Sequence, residues 1–236
     1  MKRKRLFSIA IFVVLLFAIV SVFYKSGAGL PSSWAQAPKS AAKTTNIVTL
    51  PSPLLDGSLS VERALSERRS VRAYRNQPLT MADISQILWA AQGITEPKRG
   101  LRTAPSARAS YLLKVYLLAG RVTDLSMGMY EYQPLGHRLV RIAAGDIKTK
   151  LFASASQEPI RQAPAAIVIA GLSNKAKNHL WMYLEAGHVS QNIYLEAVSR
   201  NMGTVTMAGF DPEEVKKALK LPYQENPIYI MPLGKK

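Results

Sequence analysis

Apolar residues recur at helical spacing after Thr80. The apolar positions are Ile84, Ile87, Leu88 and Ala91. Their i, i+3, i+4 and i+7 spacing places them on one face of a helix. Thr80 can cap this helix and Gly93 can end it. Similar patterns predict a short helix after Ser60 and a long helix over about 180–200. A further helix is predicted after Asp211, where a cap, a proline and two glutamates favour a helix start.

Apolar runs with the length of a strand alternate with these helices. They cover residues 112–119, 165–170, 204–207 and 228–231. Residues 129–142, MYEYQPLGHRLVRI, predict two strands joined by a Pro-Leu-Gly turn. Because helices and strands alternate without a repeated βαβ unit or any internal repeat, the pattern predicts an α+β fold.

The first 25 residues differ from the rest of the chain. Four cations precede a run of 19 residues, 6–24, that only two serines interrupt. This length is sufficient to cross a bilayer, so residues 1–25 are predicted to be a membrane anchor, with a signal sequence as the alternative. The excess of cations before the run predicts an extracytoplasmic domain. Residues 26–55, rich in Ser, Ala, Pro, Gly and Thr, are predicted to be a flexible linker before a domain at 56–236.

The chain is strongly basic, with 31 lysines and arginines against 15 acidic residues. Residues 26–236 still carry 26 basic against 15 acidic side chains, so the surplus is not confined to the N-terminus. Such a surplus suits an anionic lipid surface, nucleic acid or a phosphorylated ligand, and charge alone does not choose among them. The absence of cysteine excludes disulfides, thiolate metal sites and cysteine nucleophiles.

Several classes of site lack their sequence signatures. Only three histidines occur, without an HExxH motif, so no metal site is expected. The GxSxG, Walker and GxGxxG motifs are also missing, which argues against serine hydrolases, P-loop proteins and dinucleotide-binding Rossmann folds.

A cluster of basic residues follows the first predicted helix. Arg68, Arg69 and Arg72 surround Ser70. Arginine forks bind phosphate oxygens bidentately, and a serine hydroxyl can complete the contact. The cluster therefore indicates a phosphate-binding segment, with a solvated basic loop as the alternative.

Three ordered blocks of sequence resemble the nitroreductase superfamily. The first is ERRSVRAY followed by QPLTMADISQILWAAQGIT, within 67–95. The second is RTAPSARASYLLKVYLLAG at 102–120, and the third is LEAGHVSQNIYLEAVSRNMGTVTMAGFD at 184–211. With PLGKK at the end, the resemblance covers about residues 60–236 and is strongest to the SagB-type dehydrogenase branch, which is related to thiazoline and oxazoline oxidases. It implies a central mixed or antiparallel sheet flanked by helices, an FMN cofactor and an obligate homodimer.

The resemblance also implies which residues contact FMN. Four residues of the basic cluster are expected to hold the phosphate and the pyrimidine edge of the flavin: Arg68, Arg69, Ser70 and Arg72. Lys235 or Lys236 could supply a further cation at the phosphate. Gln157 matches a polar position near the pyrimidine side. Ala208 and Gly209 match a turn whose backbone approaches the flavin N5, where glycine tolerates a close approach.

One loop is implied to act in the site of the partner subunit. Pro105, Ser106 and Ala107 match the loop that reaches the flavin of the other protomer in this family. Polar residues of the long helix are interpreted as structural, because the corresponding helix is buried in the fold resembled and buried polar groups chiefly satisfy one another. They are Glu185, His188, Gln191 and Asn192. No side chain is assigned a catalytic role.

The resulting hypothesis is an FMN-dependent oxidoreductase that passes hydride through flavin N5 to or from an unknown small molecule or peptide. The electron donor, NAD(P)H or another, is left open. The alternatives are a non-catalytic, membrane-anchored basic binding module and a flavin-binding pseudoenzyme in which Arg108 fills the substrate side. Azoline oxidases carry a Lys-Tyr pair where this chain has Ser173-Asn174, which argues against azoline oxidation. Nucleic-acid binding is not expected, because the cations are scattered.

Overall fold

The computed structural model describes residues 46–236. The strands are β1 (Ile47–Thr49), β2 (Ile94–Glu96), β3 (Leu101–Arg102), β4 (Leu113–Ala119), β5 (Gly128–Gln133), β6 (Arg138–Ala144), β7 (Ala165–Leu172), β8 (Met202–Thr204) and β9 (Glu225–Lys235). The helices are α1 (Val61–Glu67), α2 (Met81–Gln92), α3 (Ile147–Ala155), α4 (Glu158–Gln162), α5 (His179–Ser199) and α6 (Pro212–Leu219). A 3-10 turn covers Ala107–Ala109.

Seven of these strands form one sheet in the order β1-β6-β5-β4-β7-β9-β8, and every neighbouring pair is antiparallel. β2 and β3 form a separate hairpin. β7 lies inside the sheet, pairs with β4 and β9, and is buried along its whole length. The predicted α+β fold, with an antiparallel sheet flanked by helices, is therefore confirmed.

The sheet has a hydrophobic layer on each of its faces. Along β7, Ile167 and Ile169 pack in one cluster with residues of α2 and α5, whereas Val168 and Ala170 pack in a second cluster with residues of α3 and α6. This alternation follows from the two-residue period of strand side chains. A continuous apolar run is therefore what a strand covered on both faces requires.

Three helices begin at the caps that the sequence indicates. The Ser60 hydroxyl accepts a hydrogen bond from the N–H three residues later, at 3.2 Å. Thr80 and Asp83 form a reciprocal capping box at the start of α2, and Asp211 accepts from the first N–H groups of α6. These contacts satisfy donors that a helix start leaves without a partner. The helix predictions at these three positions are confirmed.

The strand predicted at 204–207 is misplaced. β8 covers Met202–Thr204, where it pairs with the end of β9. The same register continues beyond this strand, because Met207 makes an isolated bridge to Ile230 in the middle of β9. Only Thr204 of the predicted strand therefore lies in β8.

The folded part begins earlier than the boundary predicted at residues 55–56. β1 lies inside the predicted linker and pairs with β6. Further along, the backbone of Leu54 exchanges two hydrogen bonds of 2.9 Å with the side-chain amide of Gln86. The linker prediction for residues 46–55 is therefore corrected, because this segment has partners on β6 and α2.

The prediction of a membrane-anchored, extracytoplasmic protein is also corrected. Within residues 46–236, no helix combines the length and apolar character needed to cross a bilayer. The predicted anchor at residues 1–25 lies outside the described residues. We therefore withdraw the membrane localisation.

Residues 70–75 form an extended segment against the last strands of the sheet. The Val71 N–H donates to the Thr204 carbonyl at 2.9 Å, and the Arg75 N–H donates to the Lys235 carbonyl at 3.0 Å. These bonds join the basic cluster to the ends of β8 and β9. The position of the cluster is thus set by backbone pairing rather than by its charged side chains.

Two glycines allow this segment to lie close to the sheet. A Cβ at Gly203 would lie 2.5 Å from a methyl carbon of Val71, and a Cβ at Gly234 would lie 2.7 Å from the Tyr74 side chain. Neither glycine has a positive φ, so space rather than backbone conformation requires them. Any larger residue must push the segment away.

We expect Gly203→Ala to lower the free energy of unfolding by about 1–3 kcal/mol, the usual cost of overpacking a filled site. Urea unfolding of the full chain measures this loss. Gly57→Ala is the matched control, because a Cβ there meets nothing within 4 Å, and it should change stability by less than about 0.5 kcal/mol. Equal stability of the two variants would contradict the close approach at Gly203.

Candidate functional site

The side chains of the basic cluster point to different partners. The Arg68 guanidinium is half-buried and lies 5.0 Å from the centre of the Tyr194 ring on α5. Arg69 turns back on α1, where its Nη1 donates to the carbonyls of Ser66 and Arg68 at 3.0 and 2.7 Å. Arg72 is exposed. The structure therefore brings Arg68, but not Arg69, to the side of α5.

Tyr194 is the residue that connects the cluster to the core. Its hydroxyl lies 3.2 Å from the Ser70 Oγ and accepts the Thr206 N–H at 2.7 Å. Burial by itself raises the pKa of Tyr194, but the hydrogen bonds from Ser70 and Thr206 and the nearby Arg68 charge outweigh burial, and the pKa is lowered overall. The phenol is therefore polarised toward its charged form.

Two threonines next to this tyrosine have side-chain hydroxyls that lack hydrogen-bond partners among the described residues. Thr204 pairs with Ser70 through the backbone, and Thr206 is held by the Tyr194 hydroxyl. The Oγ1 atoms of both threonines are buried, and neither has a hydrogen-bond partner within residues 46–236. Buried hydroxyls normally have partners, so this place suits a polar ligand. We call Arg68, Ser70, Tyr194, Thr204 and Thr206 the Tyr194 cradle.

The predicted turn at Ala208–Gly209 and the predicted polar residue Gln157 are brought together. The Gln157 Nε2 donates to the Gly209 carbonyl at 3.0 Å. Ala208 and Gly209 are exposed, and a Cβ at Gly209 would meet only the Gln157 amide, at 3.9 Å. No contact in this part of the protomer demands a glycine. The turn is therefore open to a flat ligand lying against its backbone.

The loop containing Pro105, Ser106 and Ala107 is held by the opposite half of α5. The Ser106 hydroxyl donates to Glu185 at 2.7 Å, and the His188 Nδ1 lies 3.0 Å from the Pro105 carbonyl. Glu185 is nine residues from Tyr194, about 13 Å along a helix. Within one protomer, this loop and the Tyr194 cradle are separate groups.

Glu185 fixes the loop from inside the core. Its buried carboxylate accepts hydrogen bonds from Ser106, from the Leu112 N–H at 3.1 Å and from the Gln92 amide at 3.2 Å. The loop between these contacts holds three non-glycine residues at positive φ, namely Arg108, Ala109 and Tyr111. Such backbone persists only where surrounding contacts enforce it. Glu185 supplies two of those contacts.

The Lys235 side chain binds groups that do not belong to the Tyr194 cradle. Its ammonium donates to the Asp83 carboxylate at 3.0 Å and to the Arg200 carbonyl at 3.4 Å. Asp83 also accepts from the Arg200 guanidinium at 3.2 Å and caps α2. Lys235 thus joins the end of β9 to α2 and α5.

The family of the chain follows from sequence comparison. Residues 65–235 match the model of the Nitroreductase family. A protein of Methanocaldococcus jannaschii, assigned by name to the nitroreductases, is 37% identical over 185 residues, which cover 75% of this chain and 92% of that protein. The chain therefore belongs to the nitroreductase family. This membership does not favour a binding module without redox chemistry.

Solved structures show the same fold. A structure from Ralstonia eutropha JMP134 assigned to the nitroreductases has a TM-score of 0.71 at 26% identity, covering 85% of this chain and 94% of that one. One from Desulfovibrio desulfuricans, in complex with FMN, has a TM-score of 0.57 at 18% identity and covers 75% and 86% of the chains.

A third similar structure comes from a peptide-bound assembly. The Escherichia coli microcin synthetase complex with truncated pro-MccB17 bound has a TM-score of 0.64 at 23% identity, covering 93% of this chain and 92% of the matched one. At this identity the similarity shows the fold alone.

We expect Asp83→Asn to lower the free energy of unfolding by about 3 kcal/mol at neutral pH, because Arg200 and Lys235 lose a buried counter-charge. Burial raises the pKa of Asp83, but the bonds from Thr80 and Lys235 lower it below its ordinary value of 3.8 overall. A lowered pKa means that the stabilisation is present above pH 3.8 and is lost as pH falls further.

Urea unfolding at pH 7 and pH 3 measures the effect, and the deficit of the variant should shrink at pH 3. Asp124→Asn is the control, since Asp124 is exposed and has no salt bridge within residues 46–236. A deficit of the same size at both pH values would contradict the role of the Asp83 charge.

Proposed function

We propose that this chain is an FMN-dependent oxidoreductase of the nitroreductase family, acting on a small molecule or a peptide. FMN, when bound, supplies a two-electron centre that accepts or gives hydride at N5. Family membership and the FMN complex of a similarly folded protein support this proposal. The observation that carries it is the Tyr194 cradle. There Arg68 lies over the Tyr194 ring, and the two threonines joined through their backbones to Ser70 and Tyr194 have buried hydroxyls without partners within residues 46–236.

The residues present fit the phosphate end of FMN. Arg68 and Arg72 would supply charge, and the hydroxyls of Thr204 and Thr206 would donate hydrogen bonds to anionic oxygens. Tyr194 would keep Ser70 and Thr206 in place. Arg69 and Lys235, which the sequence predicts for the same role, already bind groups of their own chain. We therefore assign Arg69 and Lys235 a smaller part in phosphate binding. Lys236 is then the candidate for the further cation at the phosphate.

The turn at Ala208–Gly209 would lie beside the ring system. Because its backbone is exposed and no side chain covers Gly209, a flat ring can approach it closely. Gln157, which already donates to the Gly209 carbonyl, would orient the turn and meet the pyrimidine side. No side chain of this chain is assigned to proton transfer.

We propose that the working form is a homodimer with two shared sites. Pro105 and Ala107 are exposed, whereas Ser106 between them is held by Glu185, so the loop is rigidly presented to a neighbour. The nearby face of α5 exposes Leu180, Tyr183 and Leu184. An apolar face beside a fixed loop suits contact with a second copy. The loop would then complete the flavin site of the partner.

We assign the chain to the SagB-type branch without azoline oxidation. The sequences APSA at 104–107 and LEAGH…QN at 184–192 support the branch, and the microcin synthetase structure adds only a shared fold. Ser173, at the position of the Lys-Tyr pair, binds the Gln224 carbonyl through its N–H and its hydroxyl, at 2.9 and 3.0 Å. Arg108 is exposed and lies 5.9 Å from the centre of the Trp181 ring, outside the Tyr194 cradle.

Titration of FMN and riboflavin into flavin-free full-length protein, followed by flavin fluorescence, tests this proposal. Riboflavin lacks the phosphate, so we expect FMN to bind more tightly. Arg68→Gln should weaken FMN by about 10- to 100-fold, the equivalent of one charge-assisted hydrogen bond, and leave riboflavin unchanged. Arg63→Gln is the matched control, because Arg63 is exposed on α1 and pairs with Glu67.

The outcomes separate the phosphate role from the cofactor itself. Equal binding of FMN and riboflavin by the wild-type protein would refute the phosphate role of the cradle. Binding of neither flavin would refute the cofactor and the oxidoreductase together. With FMN bound, loss of the flavin absorbance on addition of NADH, and its return on addition of a nitroaromatic acceptor, would establish turnover.

A further inference from the structure

A second cavity lies at the other end of the sheet from the Tyr194 cradle. It has a volume of about 380 Å³ and is bordered by the start of β4, the ends of β5 and β7, and the loop after β7. Leu172 lines it and pairs with Glu225, the first residue of β9, whereas the cradle adjoins the last residues of that strand. Eleven strand residues span about 33 Å. The two places are therefore distinct within one protomer.

The cavity is strongly cationic. Its lining includes four cations and one carboxylate, Glu131. Lys114 is neutralised by Glu131 at 3.2 Å and by the buried Glu225 at 3.0 Å. The other cations, Arg102, Arg138 and Lys175, have no carboxylate oxygen within 4.0 Å anywhere in residues 46–236. A surplus of positive charge thus faces this cavity.

Arg102 is held in a fixed position at the wall of this cavity. Its Nη1 donates to the Gln92 Oε1 at 2.8 Å, and its guanidinium lies 4.2 Å from the centre of the Tyr111 ring. Gln92 in turn donates to the buried Glu185, so the amide, rather than a direct ion pair, joins this carboxylate to Arg102. Burial lowers the pKa of Arg102, despite the opposing influence of Tyr111, Glu185 and Tyr132. A directly bound anion would relieve that cost.

The remaining walls are apolar or aromatic. They are formed by Leu113, Val115, Leu172 and the rings of Tyr111 and Tyr132. Arg138 is oriented at the rim, because its Nε donates to the Gln133 side chain at 2.9 Å. Small-molecule sites combine such apolar walls with a few fixed polar groups, in volumes of about 300–1,000 Å³.

We propose that this cavity binds a small molecule that joins an anionic group, a carboxylate or a phosphate, to an apolar or aromatic body. The planar fork of Arg102 would meet the anion, Arg138 and Lys175 would add charge from the rim, and the tyrosine rings would contact the body. This inference does not rest on flavin binding. None of the residues that line this cavity belongs to the Tyr194 cradle.

Isothermal titration calorimetry of the full-length protein tests it, with benzoate, phenyl phosphate and benzyl alcohol as probes at fixed ionic strength. We expect at least one of the two anions to bind and the neutral alcohol not to bind measurably. The anion that binds more tightly identifies the preferred anionic group. Arg102→Gln should weaken the anion by about 10-fold or more, as loss of a charge-assisted contact does. Arg138→Gln, at the rim, provides a second variant that leaves the contact between Arg102 and the Tyr111 ring intact.

Two control variants distinguish binding in this cavity from binding elsewhere on the protein. Arg99→Gln removes one exposed charge from the β2–β3 turn, and Arg63→Gln removes one from α1. Neither should change benzoate or phenyl phosphate binding. The proposal would be overturned if neither anion binds, if benzyl alcohol binds as tightly as the anions, or if either control weakens binding as much as Arg102→Gln and Arg138→Gln do.

Discussion

The pairing of β9 with β7 on one side and β8 on the other is the constraint on which the proposed flavin site depends. This eleven-residue strand is buried for most of its length and, together with β8, carries the backbone acceptors that hold the extended segment at residues 70–75. Strand backbones joined by ladder hydrogen bonds move little, so the segment inherits their rigidity. Ser70 and Arg68 reach Tyr194 because the sheet fixes where the segment lies. The charge of the arginines does not determine its position.

Local signals explain what the sequence predicts well. The caps at Ser60, Thr80 and Asp211 act within three residues, and the apolar period of α2 is visible in one turn after another. The antiparallel pairing of β1 with β6 joins segments about ninety residues apart and has no local signature. This is why residues 46–55, poor in periodicity, resemble a linker although they contribute a strand and contacts to α2.

Side-chain partners are harder to predict than side-chain chemistry. The cluster of arginines predicts a phosphate contact, but not that Arg69 folds back on α1. Nothing in the sequence around Lys235 indicates that its ammonium binds the buried carboxylate of Asp83, which caps α2. Tyr194 carries no motif at all within an apolar helix, and only the approach of Ser70 and Thr206 from distant segments reveals its role. Each of these choices depends on tertiary contacts.

The long sequence separation within the Tyr194 cradle has a consequence for biosynthesis. Ser70 meets Tyr194 across 124 residues, and Tyr74 meets the Pro232 carbonyl across 158. A ribosome releases the chain from its N-terminus, so the arginine segment emerges long before its docking strand. The cradle therefore cannot form until β9 has been made. Deleting residues 232–236 would dismantle the site while every residue of the cradle itself remained in the chain.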